Sequence, residues 1–178
     1  METGIFAGGC FWCTEAVLQR INGVEDVVPG FTAGHVKNPA YREVVTGRTG
    51  HAEAIRFQYD PSIVSYADLV TVFLATHDPT SLNRQGADVG TQYRSGIYYT
   101  TDEQCQTARG IIEELNEKNV FGKPIVTEVQ EAGPFYVAEE DHHDYYNQNP
   151  YMGYCNYVID PKVNKLREHF AHLLKPAA

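Results

Sequence analysis

The sequence predicts an α+β domain in two layers, with helices packed on a sheet. Three observations carry this: short apolar or alternating stretches that read as strands, amphipathic stretches long enough to cover a sheet, and their interleaving without repeat, low-complexity tract or linker across 178 residues. One domain, 1–178, is the simplest division. A chain of this length buries a core without needing disulfides or metals to hold it together.

The elements follow in order. "TGIFA", before Gly8 and Gly9, reads as a buried strand entering a turn, and Phe11 to Ile21 as a helix stopped by Asn22-Gly23. Cys10 therefore sits at a strand-to-helix junction. In "EAIRFQYD" the side chains alternate, with Ile55, Phe57 and Tyr59 on one face and Arg56, Gln58 and Asp60 on the other, which is a half-buried strand. "SYADLVTVFLATH" carries Tyr66, Leu69, Val70, Phe73 and Leu74 on one helical stripe, with Ser65 as cap and Asp68 in the first turn. "YRSGIYYT" is a further strand; Thr101 and Gln104 form a capping box for a helix that buries Cys105, Ala108, Ile112 and Leu115. "PIVTEVQ" is the next strand. Asp160 and Pro161 open a last helix with Val163, Leu166, Phe170 and Leu173 on one face. Two long stretches lack periodicity, "HDPTSLNRQGADVGTQ" and "AGPFYVAEEDHHDYYNQNPYMGYCNY", and irregular segments of that length in a compact domain tend to carry function.

Composition narrows the partners. With 14 Lys+Arg against 23 Asp+Glu the formal charge is −9, and no basic run is available to neutralise a row of phosphates, which argues against nucleic acid. The start "METGIFAGG" lacks a signal-peptide pattern and no apolar run spans a membrane, so the chain reads as soluble and cytoplasmic. In a reducing compartment Cys10, Cys13, Cys105 and Cys155 are expected to be catalytic, metal-binding or buried rather than structural disulfides.

Cys10 is the first candidate for chemistry. A thiolate at a helix start meets free N–H groups and the positive end of the dipole, which should lower its pKa and make it a nucleophile; the alternative is an inert buried thiol. Cys105, on a packing face, fits that alternative. Cys10 with Cys13 fits a thioredoxin-like dithiol or half a zinc site, but no second Cys-x-x-Cys or His-x-x-x-His supplies the other half. Glu53 in "TGHAEAIRF" shares the apolar face with Ile55 and Phe57 by strand parity. Desolvation there would keep a proton on it near neutral pH, unless as a strand-end residue it reaches solvent. Tyr41, Tyr93 and Asp88 lie at strand or loop ends, where interface packing for the phenols and turn formation for the acid compete with a functional role. Cys155 sits in the Gly/Tyr-rich "NPYMGYCNY", a segment expected to be mobile enough to bring its sulfur to another.

Taken together, "GGCFWCTEA", "GHAEAIRFQYDP", "HDPTSLNRQGADVGTQYRSGIYY" and "NPYMGYC", in this order, resemble the peptide methionine sulfoxide reductase A family, from about Ile5 to Lys165. The resemblance implies a two-layer sandwich around a mixed, mainly antiparallel sheet in a ferredoxin-like arrangement with long functional loops. It implies that Cys10 attacks a methionine-S-sulfoxide, free or in proteins, and that Phe11 and Trp12 wall the methyl group. Glu53 would protonate the oxygen, Tyr41 and Tyr93 would hydrogen-bond it, and Asp88 would hold the substrate backbone or a water. Cys155 would resolve the resulting sulfenic acid and thioredoxin, or another dithiol, would recycle the protein, with no bound cofactor or metal and the chain acting as a monomer. Cys13 departs from the pattern, standing where many members have glycine. Both Cys13 and Cys155 are therefore candidates to resolve Cys10, and Cys155 is favoured.

Overall fold

The computed structural model describes residues 1–176. The first strand, β1 (Glu2–Gly8), ends where the chain must reverse into a helix, and Gly9 makes the reversal at φ +91, where a side chain would be strained and would run into Gln85. Cys10 then caps α1 (Phe11–Leu18), so the strand-to-helix junction holds as expected. That helix stops before Ile21, because Ile21 and Asn22 are taken up by backbone pairing with Leu174 and Leu173 near the other end of the chain.

The remaining elements are β2 (Val24–Thr32), α2 (Tyr41–Val44), β3 (Ala52–Tyr59), α3 (Tyr66–Ala75), a small hairpin of β4 (Arg84–Gln85) and β5 (Asp88–Val89), β6 (Ser95–Tyr99), α4 (Asp102–Glu117), β7 (Glu128–Glu131), β8 (Phe135–Val137), α5 (Tyr145–Gln148) and α6 (Asp160–His169). Six strands form one mixed sheet in the order β7-β6-β1-β3-β2-β8, antiparallel throughout except for β6 against β7. The caps read from the sequence are present: Ser65 accepts from the Asp68 amide and Thr101 from the Gln104 amide.

The pleat sorts side chains between two faces. Phe6, Ile55, Phe57 and Ile97 join α1, α3 and α6 in the main core, where the Phe6 ring stacks on Phe73 at 4.6 Å and meets Phe57 edge-on at 5.2 Å. On the opposite face lie Ile5, Ala7, Ala52, Ala54 and Tyr98, packed against Ala132 and Phe135. Burial of these apolar side chains, each contributing about 1.5–3 kcal/mol for the larger ones, is what holds helices to sheet. Because Ala52 and Ala54 face one way, Glu53 between them faces the helices and the main core, as parity requires.

Three expectations need correction. Cys105 is only half-buried and belongs to neither core cluster; the buried residues of α4 are Gln104 and Ala108. Phe170 and Leu173 lie beyond the end of α6, in a final turn. Cys155 is not in a mobile coil: it opens a π-helical turn, Cys155–Ile159, that runs directly into α6, and it is 0% exposed. The apolar side chains Cys155 and Ile159 of that turn join the main core and pin it.

Candidate functional site

The junction between β1 and α1 lies against β3, and one hydrogen bond fixes their relation: the Phe11 amide donates to Glu53 Oε1 at 3.2 Å. This amide belongs to the first turn of α1, one of the donors a helix leaves unpaired, and a buried carboxyl satisfies it. Glu53 is 1% exposed and its other oxygen, Oε2, has no partner among the described residues. Burial pushes its pKa up to about 8, helped by the charges of Asp88 and Cys13 and opposed by the Phe11 amide. At neutral pH this carboxyl holds its proton.

The thiols correct the expectation of a helix-activated Cys10. Burial pushes the Cys10 thiol well above its ordinary value, and a hydrogen bond with Cys13 and the charge of Glu53 push the same way; the Trp12 amide at the helix start opposes them and is outweighed. Cys13 is the thiol drawn down, to about 7, chiefly by the hydrogen bond from Cys10, against burial, with Lys162 and the Tyr154 hydroxyl assisting. The two sulfurs titrate as a pair in which the first thiolate formed is held by the S–H of the other. All four cysteines carry free thiols.

A short polar chain leaves this pair. Cys13 Sγ lies 3.6 Å from the Tyr154 hydroxyl, which donates to Asp88 Oδ2 at 3.2 Å, so the β4–β5 hairpin and the segment before Cys155 meet at the thiols. Tyr41, opening α2, and Tyr93, ending the turn Thr91–Tyr93, have phenols raised first by burial and then by Glu53, that of Tyr93 to about 12; both also feel Cys10 and Asp88. They remain neutral donors at any working pH.

Aromatic rings wall the cluster. Trp12 is half-buried, with Tyr145 stacked on it at 3.7 Å and 7° and Tyr154 edge-on at 5.8 Å. Phe11 lies 6.2 Å from Tyr41, and His142 packs among Phe11, Trp12 and Tyr41.

The structure thus gathers Cys10, Phe11, Trp12, Cys13, Tyr41, Glu53, Asp88 and Tyr93. Cys155 is in the same apolar cluster as Cys10 and Cys13 but sealed in its turn, its thiol raised by burial, by Asp160 and by Cys13. Sequence reasoning did not single out Tyr145, Tyr154 or Glu15. For Glu15 a signal existed: it is the one charged residue in the otherwise apolar or neutral α1, hence a buried carboxyl in need of partners. Among the described residues no group of three or more His, Cys, Asp or Glu could hold a metal ion, and no helix is long and apolar enough to cross a membrane.

Comparison with known proteins gives concordant results. A family model described as peptide methionine sulfoxide reductase matches residues 2–174. A curated relative from Deinococcus radiodurans, peptide methionine sulfoxide reductase MsrA, is 59% identical over 174 residues, covering 98% of this chain and 84% of its own. Methionine sulfoxide reductase A of Corynebacterium diphtheriae superposes with a TM-score of 0.81 at 40% identity, covering 88% of this chain and 78% of that one. Mxr1 from Saccharomyces cerevisiae in its reduced form gives 0.78 at 33% identity, over 86% and 88% of the two chains. In an unusual oxidized form, Mxr1 gives 0.61 at 30% identity over 84% and 83%.

Proposed function

Because the chain belongs to the peptide methionine sulfoxide reductase family, whose reaction turns methionine sulfoxide into methionine, we propose that Cys10 is the attacking thiol and Glu53 the acid. The observation that carries the assignment is Glu53 Oε2: a buried, protonated carboxyl with one unpartnered oxygen beside a pair of thiols. A sulfoxide oxygen leaves only once protonated, so a sulfur nucleophile and a neutral acid are needed at the same pH. With Glu53 protonated, its charge no longer opposes ionisation of Cys10. The Cys13 thiolate then takes the Cys10 proton as Cys10 Sγ attacks the sulfoxide sulfur.

Glu53 delivers its proton to the oxygen while Tyr41 and Tyr93 donate hydrogen bonds to it. Phe11 and Trp12 hold the methyl group by dispersion and exclude water. Asp88, tied to Tyr154, holds the substrate backbone or a water. The hydroxyl so formed passes from the substrate sulfur to Cys10 Sγ as the bond between the two sulfurs breaks, so methionine leaves with its sulfur reduced by two electrons and Cys10, oxidised by two, is left as the sulfenic acid.

A second thiol then displaces the sulfenic oxygen as water. Cys13, three residues along the chain from Cys10 and the more acidic of the two, is assigned that step, and thioredoxin or another dithiol reduces the Cys10–Cys13 disulfide by exchange. The second reading keeps Cys155 as the resolving thiol. A π-helical turn is rare and frequent at functional sites, and the lower similarity to oxidised than to reduced Mxr1 supports rearrangement on oxidation in this fold. We further read 1–178 as one cytoplasmic, monomeric domain and the order β6-β1-β3-β2 as a ferredoxin-like arrangement.

Single-turnover reduction followed by disulfide mapping tests the thiols. Cys10→Ser should give no methionine at all; a full equivalent from it would sink the mechanism. Cys13→Ser, which also removes the base, should form methionine more slowly and leave a dimedone-trappable Cys10 sulfenic acid, and Cys155→Ser should still close Cys10 onto Cys13. The exchanged pair of results would make Cys155 the resolving thiol.

A further inference from the structure

Glu15 is 1% exposed, points away from the thiols of its own helix, and has both oxygens committed. Oε2 accepts from the Asp144 amide at 2.9 Å and Oε1 from the Tyr145 amide at 3.2 Å. Two successive backbone donors on one carboxylate form a rigid clamp. The clamped segment needs holding. Asp144 sits in the left-handed region at φ 55 and ψ 33, a conformation that costs a non-glycine residue free energy and persists only where neighbours impose it. They do so here: Gln19 Nε2 donates to Asp144 Oδ1 at 3.1 Å and Asn147 Nδ2 at 2.7 Å, while Arg20 reaches Asn147 at 2.8 Å. The hydrogen bonds that hold the strap thus come from Glu15 and from Gln19 and Arg20 just after α1, and the residue next to the strained one is Tyr145, whose ring lies flat on Trp12.

We propose that Glu15 is a positioning residue of the reductase reaction: by holding the amides of Asp144 and Tyr145 it seats the Tyr145 ring on Trp12 and so fixes the aromatic wall that receives the substrate methyl group. The inference rests on the assignment of Trp12 to that wall. Glu15 touches neither Cys10 nor Glu53, so its loss acts on binding and leaves the chemical step alone. An amide at this position keeps the volume and one acceptor but offers an N–H to a backbone N–H at the other.

Trp12 is the only tryptophan in the chain, so its fluorescence reports the stack directly. Glu15→Gln should shift the emission of Trp12 and raise KM for a methyl sulfoxide substrate roughly tenfold, the equivalent of one hydrogen bond, with kcat within about twofold. In a Tyr145→Ala background the same substitution should change neither quantity further. Should Glu15→Gln not fold, Glu15→Asp, which withdraws both oxygens by one methylene, is expected to act in the same direction. Unchanged emission, a fall confined to kcat, or effects that add to those of Tyr145→Ala would overturn the proposal. If the emission shifts and neither Glu15→Gln nor Trp12→Ala alters KM, the clamp stands and the placing of the methyl group on Trp12 fails instead.

Discussion

Glu53 and Glu15 are buried to the same extent and both are pushed up by that burial, to about 8 and about 7, yet their surroundings put them to different uses. Glu53 meets one backbone amide and keeps an oxygen free beside the thiols; Glu15 meets two amides and keeps none. Perturbed protonation alone does not separate a catalytic carboxyl from a structural one, since desolvation acts on both. The separating feature is the hydrogen-bond inventory. A carboxyl whose lone pairs are all taken by backbone can hold a loop; one with an unpaired oxygen in a thiol-lined site can move a proton.

The largest expected contrast between them is in rate. Glu53→Gln should lower single-turnover methionine formation by about 10²–10⁴, the usual contribution of a positioned general acid, whereas Glu15→Gln should leave that step nearly unchanged at saturating substrate. Equal losses from the two would erase the distinction. Next in size is Trp12→Ala, which removes the surface that Glu15 is proposed to steady. It should cost on the order of 1–3 kcal/mol in discrimination between methyl and ethyl sulfoxides. Parallel loss for both substrates together with a lower melting temperature would make Trp12 a core residue only.

The pH profile gives a finer contrast. The thiol pair must have lost its first proton, near 7, and Glu53 must have kept its own, up to about 8, so kcat/KM should peak in that narrow window. Below it activity falls as the thiolate is protonated; above it, as Glu53 ionises, falling about tenfold per pH unit on either limb. The residual activity of Glu53→Gln should lack the alkaline limb, and Glu15→Gln should retain it.

Much of this was legible in the sequence, for definite reasons. Glu53 was readable because strand parity is rigid: the alternation Ile55, Phe57, Tyr59 fixes the side on which residue 53 falls. The β1–α1 junction was readable because paired glycines before a helical pattern leave few other conformations. Strand β2 was not, since Pro29, Gly30 and a bulge between Glu25 and Val28, with Asp26 at φ 51, break the alternation that would announce it. The state of Cys10 was misjudged because helix position can be read locally while desolvation depends on everything packed around the thiol. The mobility of the Cys155 segment was misjudged because Gly153 and the neighbouring tyrosines suggest a coil, whereas Cys155 and Ile159 dock into a core supplied by distant residues. The strap at Asp144 belongs to the same class: its left-handed residue is held by side chains more than a hundred residues earlier.

The smallest predicted difference is thermodynamic, and its sign is fixed by the same inventory. Folded Glu53 holds its proton to about 8, while in the unfolded chain it releases it at the ordinary value of 4.5. Between those limits the folded state binds the extra proton, so stability falls as pH rises through the window and the penalty is complete above 8. Glu53→Gln removes the titration and keeps an oxygen for the Phe11 amide. It should match the parent at pH 4, and at pH 9 exceed it by on the order of a few kcal/mol, about 5 °C or more in melting temperature for a domain of this size. Glu15 titrates with the same sign, from 4.5 to about 7. Its replacement by Gln, however, turns an N–H toward a buried amide, a loss of about 1–3 kcal/mol at every pH that offsets the relief from charge. Thermal melts at pH 4, 7 and 9 should therefore place Glu53→Gln above Glu15→Gln throughout, with the first curve crossing from parity to gain and the second starting below the parent. If Glu53→Gln instead lost stability relative to the parent as pH rises, the parent's Glu53 carboxylate would be stabilised in the fold, and the proton needed for sulfoxide reduction would have to come from another group.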